Sequence, residues 1–317
     1  MKIASLLNLG LFLASARAGV LKSRTATVTE ENNIVSASLP GGDSVQVYLH
    51  GATVTSWKAS NGEEQLFLST ASPLDGSAAI RGGIPVVFPV FATPPQNHST
   101  TGLPSHGWAR NSTWTFAGSR EIDDAGSLEL QFKINSTTLI KKYTDIWPYT
   151  VSLTYFVTLS TNSLASHIRV ENTGNQTFDF QFLLHTYLSV PNINTTTVNG
   201  LEGASYIDKT KANALTLETS NAVSIVNETD RIYTPLTVDT PIVVQDNGAP
   251  RITVTRDLLP DVTVWNIWST KIQTSKDFAP KDAWQRYLAI EPGYVASFTD
   301  IEAGGVWEAG ATFEAHV

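Results

Sequence analysis

Apolar and polar residues alternate in short runs along most of this chain. Residues 45–49, 54–57, 128–134, 151–159, 165–170, 178–190, 252–255, 262–267 and 287–290 are rich in β-branched and aromatic side chains. Many alternate with a period of two, the pattern of a strand with one face buried. Turn signals separate them: Pro40-Gly41-Gly42, Asn61-Gly62, Asp75-Gly76, Asn199-Gly200 and Asp246-Asn247-Gly248. No apolar stripe of helical spacing persists for four turns. Strands in close succession without helices between them predict antiparallel sheets packed face to face. No internal repeat, low-complexity linker or charge block divides residues 19–317, so the chain reads as all-β, with one large antiparallel β-sandwich domain.

Two stretches break the rhythm. Residues 80–110 (IRGGIPVVFPVFATPPQNHSTTGLPSHGWAR) combine prolines and glycines with two histidines and two arginines. A connection this long in a compact domain is usually functional, and its apolar Val86, Val87, Phe88, Val90 and Phe91 predict a buried loop. Residues 269–283 form a second, polar stretch just before the segment carrying Glu291.

The N-terminus changes the picture. Met1-Lys2, an apolar run over 3–13 and Ala16-Arg17-Ala18 before Gly19 read as an export signal over residues 1–18. The run is shorter than the ~20 residues that span a bilayer, and no later segment is long and apolar enough to span. The expectation is a secreted protein without a membrane anchor, or a cytoplasmic one if the signal is misread. Sequons begin at Asn97, Asn111, Asn135, Asn175, Asn194 and Asn227; Asn135, Asn175 and Asn194 sit nearest to expected turns. The chain has no cysteine, which excludes a disulfide framework, a thiolate metal site and a cysteine nucleophile. Its 21 basic and 29 acidic residues give a net charge of -8, which argues against nucleic acid or anionic lipid as a partner.

Several side chains could carry chemistry. In FDFQFLLHTYLSV (178–190), Phe178, Phe180, Phe182 and Leu184 share one face, while Asp179, Gln181, Leu183, His185 and Tyr187 share the other. The second face is half polar and suits a binding surface, and His185 on it titrates near neutrality. Glu291 shares a face with Tyr287 and Ala289, and the following Pro292-Gly293 is expected to turn the chain and end the strand. Arg81, His106 and Arg110 lie in the long loop and could hold an anion or several hydroxyls. The histidines lack metal-ligand spacing, and there is no nucleophile elbow and no nucleotide-type phosphate loop. Metal-free acid-base chemistry without a cofactor is what remains.

Seven collinear motifs bring these residues together: RGGIPVVFPVF (81–91), LPSHGWARNSTW (103–114), LLHTYLSV (183–190), YIDK (206–209), ETDRIY (228–233), VWNIW (264–268) and YLAIEPG (287–293). From about residue 30 onward the chain resembles the glucose-6-phosphate 1-epimerase branch of the aldose 1-epimerase family, the hexose-6-phosphate mutarotases. The resemblance implies a galactose mutarotase-like supersandwich, a monomer, and a small sugar or sugar phosphate as partner. It makes His185 and Glu291 the catalytic pair and places Arg81, Ser105, Arg110 and Asp230 at substrate contacts. Related sequences often carry glutamine in place of Ser105. Arg81 and Arg110 are then expected to hold a sugar phosphate.

The implied reaction interconverts the α and β anomers of an aldohexose by opening and closing its ring. Glu291 would act as base on the C1 hydroxyl and His185 as acid on the ring oxygen. The rate would then fall at high pH as His185 deprotonates and at low pH as Glu291 protonates. Two other readings stay open: a non-catalytic carbohydrate-binding protein, and a glycoside hydrolase using Asp179 or Asp230 as a second carboxylate. An export signal conflicts with an intracellular hexose 6-phosphate, so free or other extracellular aldoses are the alternative substrates.

Overall fold

The computed structural model describes residues 25–122 and 126–317; the expected signal over 1–18 lies outside them. Three antiparallel sheets form the body. A four-stranded meander runs through Thr27–Glu31, Ile34–Ser38, Ser44–Tyr48 and Thr53–Lys58. A nine-stranded sheet extends from Val223–Ser224 at one edge to Thr115–Glu121 at the other. Facing it is an eight-stranded sheet ordered Ala214–Leu217, Ser205–Asp208, Thr229–Tyr233, Asp261–Asn266, Tyr287–Ile301, Phe178–Leu184 and Val86–Val87, with Tyr187–Ser189 also paired to Tyr287–Ile301.

Period-two patterning builds the sandwich. Val151–Ser160 and Ser163–Asn172 alternate buried and half-exposed residues along their whole length. Leu153, Tyr155, Val157 and Ile168 from these strands join Phe180, Phe182, Val262, Val264, Leu288 and Ile290 of the facing sheet in one apolar cluster. The expected turn at Asn247-Gly248 has both residues at positive φ, 49° and 81°, as a tight hairpin requires. Asn175 and Asn194 are exposed, whereas Asn135 is half-buried and its side-chain oxygen accepts the N–H of Thr137.

Two expectations about strands are corrected. The run 178–190 is not one strand: pairing stops at Leu184 and resumes at Tyr187. In the gap, the His185 and Tyr187 N–H groups donate to Pro85 and Gly83 of the long loop. Gly83 makes this crossing possible, since its φ is 66° and a Cβ there would lie 2.0 Å from the Val54 carbonyl oxygen. Nor does Pro292-Gly293 end the strand after Glu291, which continues to Ile301. Gly293 is not in the left-handed region; it pairs with Asp261 and Leu183, and a Cβ would meet the Phe182 carbonyl oxygen at 2.8 Å. Where pairing with Asp261–Asn266 runs out, the Asp261 carboxylate accepts the N–H groups of Val295 and Ala296 at 2.6 and 2.8 Å.

Candidate active site

Sheet register places four candidate side chains on one face. Thr263 lies opposite Glu291, and Trp265 opposite Ala289; Asp230 lies opposite Trp265, and Ile232 opposite Thr263. Directly opposed residues point the same way, so Glu291, Thr263, Trp265 and Asp230 rise together from the face turned away from the main core. Two small apolar clusters stand on this face. One contains Tyr187, Phe278 and Tyr287; the other contains Val87, Phe91, Leu183 and Ile232. The cleft between them is lined by Arg81, Phe91, His106, His185, Lys209, Asp230, Thr263, Trp265 and Glu291.

His185 and Glu291 form its floor, only 6 % and 1 % exposed. Nδ1 of His185 lies 3.0 Å from Oε1 of Glu291. The approach is too oblique for a hydrogen bond, and neither atom has another hydrogen-bond partner. Thr263 Oγ1 and Arg110 Nε are likewise buried without partners. Of these groups, those of His185, Glu291 and Thr263 line the cleft, where a polar ligand could bond them. The imidazole is held in orientation by the Tyr187 ring, stacked on it at 4.9 Å and 7°, and by the edge of Trp265 at 5.9 Å.

Burial sets the protonation of the pair. Desolvation, reinforced by Arg110 and Arg81, holds His185 well below the usual imidazole range. Desolvation also holds Glu291 well above the usual carboxylate range, although Lys209, Arg81 and Arg110 all pull it down. Burial therefore favours a neutral imidazole beside a protonated carboxyl. This reverses the expected assignment of the two pH limbs, because removing charges from water costs more here than the neighbouring cations return. Asp230 behaves similarly: burial pushes it up to about 6 against the pull of Lys209.

The two expected arginines differ in kind. Arg81 is paired with a carboxylate: Nε and Nη2 donate to Asp277 Oδ2 at 2.9 and 2.6 Å, and Nη1 donates to the Tyr187 hydroxyl at 2.8 Å, which leaves two of the five guanidinium N–H groups to the cleft it lines. Burial would lower its pKa, but Tyr187 and Asp277 more than offset this and raise it. Arg110 has no carboxylate within 4 Å among the described residues. Its one hydrogen bond runs from Nη2 to the Ser105 carbonyl at 3.1 Å, and burial with repulsion from Arg81 lowers its pKa to about 10. Ser105 is exposed and contributes that carbonyl rather than its hydroxyl. His106, 5.3 Å from His185 between ring centres, is held well below its usual range by burial and by Arg110. Asp179 lies away from the cleft and pairs with His98 at 2.8 Å.

The aldose 1-epimerase family model matches residues 34–314. The chain belongs to the aldose 1-epimerase family. Two of its relatives carry the name "Putative glucose-6-phosphate 1-epimerase". That of Cenchrus ciliaris is 34% identical over 271 residues, covering 83% of this chain and 78% of that protein. That of Escherichia coli K12 is 31% identical over 255 residues, covering 78% and 79%. The fold is shared with a "putative mutarotase" from Salmonella typhimurium at TM-score 0.78 and 24% identity, over 93% of this chain and 95% of that one. It is also shared with a galactose mutarotase related enzyme from Lactobacillus acidophilus at TM-score 0.68 and 17% identity, over 92% and 98%. The mutarotase-like supersandwich is thus observed, and this aldose 1-epimerase family member is an isomerase of the mutarotase type.

Sequence reasoning assigned no role to Tyr187, Lys209, Thr263, Trp265 or Asp277. Tyr187 shares the predicted face of His185, and Lys209 and Trp265 lie within the motifs YIDK and VWNIW. Asp277 had no signal beyond its place in the polar stretch 269–283.

Proposed function

We propose that this epimerase interconverts the α and β anomers of a hexose 6-phosphate, with D-glucose 6-phosphate as the representative substrate. The observation that carries the reading is the buried His185–Glu291 pair, 3.0 Å apart, beside cations that lack counter-ions. In the productive form the one proton of the pair sits on His185. Glu291 takes the proton of the C1 hydroxyl while His185 gives its proton to the ring oxygen. The C1–O5 bond breaks as the C1 carbonyl forms, rotation about C1–C2 presents the other carbonyl face, and reversal of both transfers closes the ring. Atoms and charge balance with no further reagent. Asp230 and Thr263 can hydrogen-bond sugar hydroxyls, and Trp265 offers an aromatic wall.

Export through residues 1–18, and glycans on exposed sequons such as Asn175 and Asn194, belong to the same proposal. They favour a second substrate reading, a free aldose outside the cell. NMR exchange spectroscopy on glucose 6-phosphate and glucose, side by side, separates the two. Faster exchange of the phosphate sugar is expected; equal rates or a preference for glucose overturn the phosphate assignment. His185→Ala and Glu291→Gln should each slow exchange by about 10²- to 10⁴-fold. Full activity in either variant overturns the mechanism, and no exchange by wild type on either sugar returns the non-catalytic reading.

A further inference from the structure

We propose that Thr263 is a positioning residue for Glu291, its hydroxyl donating a hydrogen bond to the carboxylate that takes the C1 proton. The inference rests on the acid-base reading above and names the group that makes the carboxylate form accessible. Strand register carries it. Leu183 pairs with Gly293 and Tyr187 with Ala289, so His185, in the gap between those pairings, falls opposite Glu291. On the other flank of Glu291 the strand Asp261–Asn266 sets Thr263 directly opposite, and beyond Thr263 comes Ile232. One row therefore crosses the sheet as Ile232, Thr263, Glu291 and His185. Directly opposed side chains have Cβ atoms about 4.5–5.5 Å apart, which lets a hydroxyl on one strand reach a carboxylate on the next. Ile232, on the far side of Thr263, offers no acceptor.

Thr263 also stands apart from the other threonines of the interior. It is 1 % exposed, and its Oγ1 is buried without a hydrogen-bond partner. Among the described residues the other buried threonines, Thr53, Thr55, Thr100, Thr186, Thr196 and Thr229, each have one. An unpartnered buried hydroxyl is destabilising, and the row shows which group gains from it. A protonated Glu291 needs no donor there; once it ionises, its oxygens call for donors, and Oε1 has only His185 nearby, at 3.0 Å. A threonine hydroxyl rotates to suit its acceptor and keeps lone pairs for the cleft after donating. Other charges also act on Glu291. Arg81 and Arg110 come from the long loop, Lys209 has its Nζ 4.7 Å from the centre of the Phe91 ring, and Asp230 opposes their pull. None of the three cations lies within 4 Å of the Glu291 carboxylate among the described residues. They favour its charge from a distance, whereas Thr263 is held on the adjacent strand.

The test compares wild type with Thr263→Val, which keeps the shape and removes the hydroxyl, and with Thr263→Ser, which keeps the hydroxyl. One readout is NMR titration of the Glu291 carboxyl carbon in the free enzyme; the other is steady-state anomerisation of glucose 6-phosphate and of glucose across pH. Without the donor, the carboxyl of Thr263→Val should titrate at higher pH, and the alkaline limb of kcat/KM should move with it. The acid limb, where Glu291 is protonated on both sides of the transition, should stay in place. Losing one charge-assisted bond is expected to lower kcat about 10- to 100-fold for both sugars with little change in KM, and Thr263→Ser should restore rate and titration together. An unshifted titration in Thr263→Val overturns the role of Thr263 whatever the kinetics, as does a loss carried by KM or confined to one sugar. With Glu291→Gln inactive, an unchanged rate in Thr263→Val overturns it too and leaves the acid-base reading standing. With Glu291→Gln fully active, the acid-base reading falls, and a titration still shifted in Thr263→Val upholds the hydrogen bond by itself.

Discussion

Asp277 takes two donors of Arg81 on a single carboxylate oxygen, at 2.6 and 2.9 Å, across 196 residues of sequence. The guanidinium so fixed lies 5.1 Å from the centre of the Phe278 ring and bonds the hydroxyl of Tyr187, whose ring in turn stacks on His185. Asp277 thus reaches the imidazole of the proposed pair through two intermediaries, and is expected to position it without touching the substrate. Asp277→Asn keeps the shape and removes the charge. It is expected to lower kcat about tenfold for any sugar the enzyme accepts, with recovery in Asp277→Glu. Steady-state kinetics check this, and a change confined to KM would contradict the positioning role.

The pH dependence follows from the coupled pair. Between its two macroscopic pKa values the pair holds one proton, and its relocation from Glu291 to His185 converts the neutral pair into the carboxylate and imidazolium of the proposed reaction. The acid limb of kcat/KM comes from adding a second proton at His185, so it should lie below the ordinary imidazole value of 6.5. The alkaline limb comes from removing the proton held by Glu291, so it should lie well above the ordinary carboxylate value of 4.5. A pH–rate profile with its acid limb above 6.5 would contradict the burial argument.

Stability should report the same carboxyl. The folded pKa of Glu291 is raised above its unfolded value, so the group's contribution is full below pH 4.5 and is lost as pH rises through the folded value. Gln does not ionise. Glu291→Gln should therefore melt higher than wild type at pH 8 and gain nothing at pH 4, while losing activity. A lower melting temperature at pH 8 would show that the pair stabilises the fold.

Gly107 tests the loop that carries the cations. Its φ is 73°, and a Cβ would lie 2.1 Å from the Phe88 carbonyl oxygen. Gly107→Ala should cost roughly 2–4 kcal/mol through strain and displaced backbone. Activity should fall as well, since His106 and Arg110 flank the residue. Thermal melts measure the first effect and exchange rates the second.

The strands were legible because their information is local. A period of two with β-branched residues predicts Val151–Ser160 and Ser163–Asn172 whatever they pair with. The break at His185 and the passage of the last long strand through Pro292-Gly293 were not legible. Both depend on which backbone comes close: the long loop meets His185, and Leu183 with Asp261 meets Gly293. The site divides along the same line. Motif order pointed to His185, Glu291, Arg81, Arg110 and Asp230, and register then set Glu291, Asp230, Thr263 and Trp265 on one face.

By itself, then, the sequence determined the all-β patterning and the family and singled out His185 and Glu291 as the candidate pair, because alternation and motif order are written along the chain. Only the tertiary structure decided which cation is spent and which is free, and that both members of the pair sit neutral. Those properties belong to distances and burial: Asp277 reaches Arg81 from a remote loop, Phe91 holds Lys209 without discharging it, and desolvation outweighs three nearby positive charges at Glu291.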